Sequence, residues 1–272
     1  MASTLGRLLI SPFRVLVVHR NTIEAFVRRD IQGRYVTSVM GLSWAVIQPL
    51  ALLLLYTFVF SYILKIRLGG SGSTASFAAY LFCGMLPWIA FAEGVTRSAS
   101  VILDHAHLIK KVVFPSEILP AYVVVSALVM ESVGLAIFLA AIGLFDRGLG
   151  WSLLLLPPIV VLQFLFTMGL GWLLASLNVF LRDVAQLLGL AMTLWMFLTP
   201  IFYPPEMMPA HLRWLLDLNP MYYVVQAYRD LLLDQRLPAV SQVVALAAMA
   251  ITAFVLGHWF FRRSQRAFVD VL

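Results

Sequence analysis

TPIFYPPEMMPAHLRWLLDLNPMYYVVQAYRDLLL, residues Thr199–Leu233, is the stretch that decides how this chain is read. It lies between two long apolar segments, yet its composition fits neither a membrane span nor a plain loop. Pro200, Pro204 and Pro205 stop the preceding helix, because proline lacks the N–H donor and its ring clashes with the turn before it. Pro209 suits the first turn of a short helix, along which Leu212, Leu215 and Leu216 recur at helical spacing. Asn219-Pro220 reads as an N-cap followed by proline at the first helical position. Met221, Val224, Val225, Tyr228 and Leu232 then mark one face of a second short helix. Two short amphipathic helices are therefore expected at one membrane surface, between two spans.

Working outward, the 272 residues are 62% hydrophobic and 12% charged, far too apolar for a soluble domain of this size. The apolar residues gather in runs of the ~20 residues that cross a ~30 Å hydrocarbon core as helix. The expected fold class is all-α and polytopic. No signal peptide is read at the start, since Ser11-Pro12 and Arg14 break the first apolar patch. Cys83, the single cysteine, sits inside an apolar run and excludes a disulfide framework. The net charge of +6 does not point to nucleic acid, because in a membrane protein Lys and Arg first report topology.

Six spans are predicted: Leu42–Leu64, Ala78–Ser98, Ile118–Leu144, Leu153–Leu177, Val184–Leu198 and Val240–Phe261. Gln48-Pro49 kinks the first. Basic residues favour the side of both termini by about two to one, which makes that side cytoplasmic and Thr199–Leu233 external. The chain reads as one transmembrane domain, 1–272. Residues 1–35 form a cytoplasmic interface region, 36–198 spans one to five, 199–238 the outer segment, and 239–272 span six with its tail. No internal repeat appears, which weighs against inverted-repeat transporters, and no small-xxx-small seam stands out.

Three groups of residues are candidates for function. Within the N-terminal region, Asn21 and Glu24 have capping-box spacing, and Ile23, Phe26, Val27, Ile31 and Tyr35 oppose Arg28, Arg29 and Asp30, with Arg34 following. Such a helix lies in the membrane interface, as an anchor or as a contact for a soluble partner. DHAHLIKKVVFPSE, Asp104–Glu117, links spans two and three: Asp104 is placed to cap a short helix through His105, His107 and Leu108, with Lys110 and Lys111 near its favourable C-terminal end. That helix is either a membrane-surface connector or a docking element. His105 and His107 alternate and would face different sides, an arrangement unsuited to a metal.

The third group lies within the spans. Glu93 has Arg97 at i+4, the spacing of a structural ion pair. Glu131 has no partner in sight and is open to three readings: a protonated structural acid, a proton relay, or a polar contact in a channel. Tyr56, Phe60, Trp88, Phe91, Trp195, Phe202 and Tyr203 are either interfacial belt residues or the lining of a path, where flat rings suit apolar sugar faces. No phosphate-binding G-x-x-x-x-G-K-S/T, H-E-x-x-H or G-x-S-x-G motif occurs. An enzyme would need acid, base or metal groups converging at one depth, and a proton-coupled carrier would need a second titratable group near Glu131. Nucleotide-driven transport would place ATP and Mg²⁺ on another chain.

Four segments carry a resemblance: RDIQGRYVTSVMGLSWAVIQPL (Arg29–Leu50), HLIKKVVFPSEILP (His107–Pro120), LNVFLRDV (Leu177–Val184), and the opening TPIFYPPEMMP with LNPMYYVVQAYRDLLL. With six spans and no ATPase motif, the chain resembles the permeases of ABC exporters for polysaccharides such as O-antigen, capsule and teichoic acid. Drug-exporting and small-lipid-exporting relatives share the architecture. The resemblance implies a homodimer in the bacterial cytoplasmic membrane, with the path between the copies and a separate ATPase below each. It implies that the His105–Val112 helix couples to the ATPase and that the N-terminal helix lies near it, at the entrance for a lipid-linked glycan. A periplasmic export partner is left open. The two helices after Pro204 would be outer gate helices, with Pro204, Pro205, Leu212, Trp214, Asn219, Tyr222 and Tyr223 as gate residues. Their apolar faces, Leu212 with Leu215 and Leu216 and Val224 with Tyr228, would point into membrane or toward the partner copy, and Arg213 would pair with Asp217 at i+4.

Overall fold

The computed structural model describes residues 12–34, 40–56, 58–59, 63, 74–111, 114–144 and 150–272. Among these residues all regular structure is helical, and four helices are long and apolar enough to cross a membrane: Phe77–Asp104, Ile118–Leu144, Trp151–Phe180 and Val240–Ala267. The chain is a polytopic helical membrane protein. Two further apolar helices are shorter. In chain order, α1 is Arg20–Gly33, α2 Trp44–Tyr56, α3 Thr74–Asp104, α4 Ala106–Lys111 and α5 Ile118–Leu144. They are followed by α6 at Leu156–Phe180, α7 at Asp183–Leu198, α8 at Trp214–Asp217, α9 at Pro220–Leu232, α10 at Val240–Ser264 and α11 at Phe268–Val271.

Helix α3 is the axis of the bundle. It packs against α5, α6, α7 and α9, and it carries much of the core, including Leu81, Phe91, Val95 and Ile102. Pro87 lies inside it, and α3 runs several residues beyond the predicted span at both ends. Helix α5 has the predicted bounds. Helix α6 is led by a 3-10 turn over Trp151–Leu155 and begins Leu156-Pro157-Pro158, with the prolines where donors are not needed.

The tightest pairing joins α6 to α10. A Cβ on Gly169 would collide with the backbone of Ala253 and Phe254, and one on Gly257 with the carbonyl of Gly169. Two glycines on different helices thus bring the backbones together. On α10 the residues that meet Gly169 are Ala253 and Gly257, four residues apart, a single small-xxx-small step that does not stand out in the sequence because it does not repeat along the helix.

The N-terminal region corrects one expectation. Residues 12–18 are already helical, and His19 N–H donates to the Val15 carbonyl while Ile23 N–H donates to His19. Asn21 therefore sits within a helix and does not cap one. Ile23 and Val27 are buried against the bundle, and α1 packs on α5. At the end of the bundle where α6 and α10 finish, Phe268 of α11 packs on Phe180 and Phe261.

Candidate functional site: an anchored proline-rich segment and an ion-paired bundle end

Helix α7 has 16 residues, about 24 Å of rise, so it ends before crossing a full hydrocarbon core. From Thr199 the chain folds back. The first predicted gate helix is three fragments: 3-10 turns at Pro205–Met207 and Ala210–Leu212, then the single turn α8. Pro204 and Pro209 precede the two turns in extended conformations, which is what interrupts the helix. Arg213 does not pair with Asp217; its guanidinium donates to the carbonyls of Met208 and Glu206.

Helix α9 is the intact second helix, and its start is built as expected. The Asn219 Oδ1 accepts from Met221 N–H at 3.1 Å, with Pro220 at the first helical position. The same oxygen accepts from Trp195 Nε1 at 2.9 Å, and Asn219 Nδ2 donates to Thr199 Oγ1 at 2.9 Å. One side chain thus fastens the start of α9 to the end of α7. Val224 and Tyr228 do not face membrane or a partner; both are fully buried in their own bundle against α3, α6 and α10. The apolar face lies where the periodicity puts it, and what covers it is different.

At mid-depth the Tyr228 hydroxyl donates to Glu131 Oε1 at 2.5 Å, and Gln163 Nε2 donates to Glu131 Oε2 at 2.8 Å. Gln163 also reaches the Pro87 carbonyl at 3.2 Å. Glu131 is 6% exposed, so α3, α5, α6 and α9 meet at a buried carboxyl group held by neutral hydrogen-bonding groups. Next to Tyr228, Arg229 is buried too. Its guanidinium donates to the Pro200 and Ile201 carbonyls at 2.7 and 2.8 Å and lies 3.4 Å from the Tyr80 ring centroid. These carbonyls belong to the turn that follows α7, and a cation–π contact adds to the hold. A side chain at Gly84 would strike this guanidinium. Gln163, Arg229 and Tyr80 are not among the expected site residues. The signal available in the sequence is a single Arg inside an otherwise apolar helical face.

At the other end, α1 is tied to α3. Asp30 accepts from Arg97 at 2.5 Å and Arg34 at 3.0 Å, while Glu93 pairs with Arg34 at 2.6 Å and Arg97 at 3.0 Å. Burial acts to raise the Asp30 pKa, but Arg97 and Arg34 outweigh it and hold the carboxyl below its ordinary value. The expected Glu93–Arg97 pair is present, as half of a four-member cluster. Beside it, a cavity of about 610 Å³ opens between α1 and α4, lined by Arg29, Asp30, Arg34, His105, His107 and Leu108. Interface and coupling candidates thus share one cavity.

Residues 21–233 match the ABC-2 type transporter family. The chain belongs to that family. It is 30% identical over 259 residues to the O-antigen export system permease protein RfbA of Myxococcus xanthus, covering 94% of this chain and 97% of the relative. The same-named protein of Klebsiella pneumoniae is 28% identical over 265 residues, 96% and 95% of the two chains. The polysialic acid transport protein KpsM of Escherichia coli is 22% identical over 260 residues, 92% and 96%.

In this ABC-2 transporter chain the remaining candidates separate by position. Asp104 ends α3 and accepts from Ser100 Oγ at 2.9 Å, so it does not cap α4. His105 occupies the turn between α3 and α4, which brings its ring 6.3 Å from that of His107 rather than to the opposite side. Lys110 is exposed; the side chain of Lys111 lies outside the described residues, as do the side chain of Tyr56 and all of Phe60. Arg28 and Arg29 are exposed on α1. Trp88 and Phe91 pack edge-on with Trp195 inside the bundle, and Glu131 borders a small cavity that it shares with Gln48, Glu93 and Arg34. Phe202 packs on Phe197, and Tyr203 donates to the Phe197 carbonyl. Of the gate residues, Trp214 is exposed and Leu212 half-buried. Tyr223 is buried and donates to the Asp217 carbonyl. Tyr222 instead lines a cavity of about 480 Å³ with Tyr80, Pro204, Pro205, Glu206 and Gln226.

Proposed function

We infer that this ABC-2 chain is the permease subunit of an ATP-driven exporter that moves a lipid-linked polysaccharide across the bacterial cytoplasmic membrane. The observation that carries this reading is similarity over more than nine-tenths of the chain to proteins named for O-antigen export and polysialic acid transport. The chain has no phosphate loop of its own, so ATP and Mg²⁺ belong to a partner ATPase, two copies of which would serve a permease homodimer. Six spans in one domain, with both termini cytoplasmic, agree with α1, α4 and the ends of α6 and α10 gathering at one end of the bundle. The exposed Lys110 and half-buried Leu108 of α4 suit a groove on that ATPase. ATPase closure would act on α4 and, through α3, on the packed interior. Asn219, Tyr228 and Arg229 hold the outer segment shut until the bundle tilts. The glycan undergoes no chemistry.

The test is complementation. Cells lacking this chain are expected to retain long glycan inside, and the wild-type gene to restore export. Lys110→Glu with Lys111→Glu is expected to abolish export while the protein stays in the membrane. Normal glycan export in the deletion strain, with loss of drug resistance instead, would favour the drug-exporter reading. Unchanged export by the double variant would count against coupling through α4.

A further inference from the structure

Helix α10 carries a continuous exposed stripe. Val240, Val244, Ala248, Ile251, Val255, Trp259, Arg262 and Arg266 recur every three or four residues and so stack on one face. Of these only Val255 is half-buried; the opposite face buries Leu246, Ala250, Phe254, Gly257 and Phe261 in the bundle. On a membrane-spanning helix an exposed apolar stripe meets acyl chains. At Trp259 the chemistry changes abruptly. An indole 46% exposed is followed within two turns by Arg262, Arg263 and Arg266, and with Gln265 these residues line a cavity of about 610 Å³. Arg262 is engaged by Glu117, 3.5 Å from Nε. Among the described residues Arg263 and Arg266 have no ion-pair partner.

We propose that this cavity binds the headgroup of an anionic glycerophospholipid. The guanidinium groups of Arg263 and Arg266 take the phosphate, for which their planar donor pairs are suited. Trp259 sits at headgroup level, where indoles concentrate. Half a hydrocarbon core is about 15 Å, or about ten helical residues. The acyl chains therefore lie along Ala248, Ile251, Val255 and Leu256, all exposed or half-buried. Charge complementarity selects the occupant: a second copy or a soluble partner could cover the apolar stripe, but only an anionic amphiphile matches stripe and arginines together.

The test uses the full-length chain, purified and delipidated, then titrated with phosphatidylglycerol and read by native mass spectrometry. Wild type is expected to retain phosphatidylglycerol over phosphatidylcholine. Arg263→Gln with Arg266→Gln is expected to weaken retention on the order of tenfold. Arg182→Gln, which removes an exposed cation at the same end of the bundle, is expected to change retention less than twofold, setting the background of general surface charge at roughly this level. Arg263→Lys with Arg266→Lys keeps the charge and is expected to lose only a few-fold, guarding against a misfolded Gln variant. Equal retention by the Gln variant overturns the proposal. So does displacement by inorganic phosphate at the same concentration, which would make this a simple anion site. Preferential displacement by undecaprenyl diphosphate would overturn it by assigning the cavity to substrate, and a changed subunit stoichiometry in the Gln variant would do so by assigning the face to a second copy.

Discussion

Glu93 and Glu131 are both carboxylates within apolar helices, and the bundle treats them in opposite ways. Glu93 lies toward the end of α3 that meets α1, a quarter exposed, between two guanidinium groups. Glu131 lies at the middle of α5 with only neutral donors, a tyrosine hydroxyl and a glutamine amide. Near the membrane edge a charge is tolerated because counter-charges and water are both within reach. At mid-depth the cost of an ion is large, and what stabilises the group is a complete set of hydrogen bonds. Both solutions serve one structural end: each ties an accessory helix, α1 or α9, to the spans.

The comparison is broken most severely by placing a cation at each position. Glu131→Lys is expected to cost about 3–5 kcal/mol, enough to remove the folded protein from the membrane fraction, because nothing at that depth answers the charge. Glu93→Lys should lower the melting temperature far less; equal losses would mean depth does not distinguish the two sites. Tyr228→Phe removes one donor to a buried carboxyl and is expected to cost about 1–3 kcal/mol, seen as a lower melting temperature in detergent and faster hydrogen exchange along α9. Glu131→Gln keeps shape and hydrogen-bonding capacity, its oxygen accepting from Gln163 and its amide donating to the Tyr228 oxygen while that hydroxyl turns to Gln163 Oε1. Stability within about 1 kcal/mol of wild type and normal export are therefore expected. Lost export by this folded variant would revive the proton relay.

Smaller effects belong to the edge cluster. Arg97→Gln is expected to cost about 1 kcal/mol and to loosen α1 with little effect on α9, measured by exchange of the α1 amides. The pH response has a definite sign. Because the folded Asp30 pKa is below 3.8, its stabilising contribution is complete above that value and disappears as the pH falls through the depressed one. Mild acidification to about pH 5 should leave α1 docked. Undocking that begins at that pH would show that Arg97 and Arg34 do not govern the group.

What residues alone reveal here is local. The i,i+4 spacing of Glu93 and Arg97 announces their pair, and Asn219-Pro220 announces a helix start. Asp30 and Arg97, 67 positions apart, and Glu131 and Tyr228, 97 apart, meet only because α1 and α9 pack where they do. The apolar face of α9 is visible in the sequence, but periodicity says that a face is buried and not what buries it. The first gate helix fails for a local reason that is in plain view: prolines at 204, 205 and 209 leave too few consecutive residues for a helix to propagate.

The glycine contact between α6 and α10 has a mechanical consequence. Where side chains separate two helices, the rods can slide by shuffling rotamers. At Gly169 and Gly257 the main chains themselves touch, and a shift of one residue in either direction would drive a Cβ-bearing neighbour into the opposing backbone. The contact acts as a dowel, locking the two rods in register. Tilting can still occur about that point, but axial slip cannot, so displacement at one mouth of the bundle returns as a lever stroke at the other.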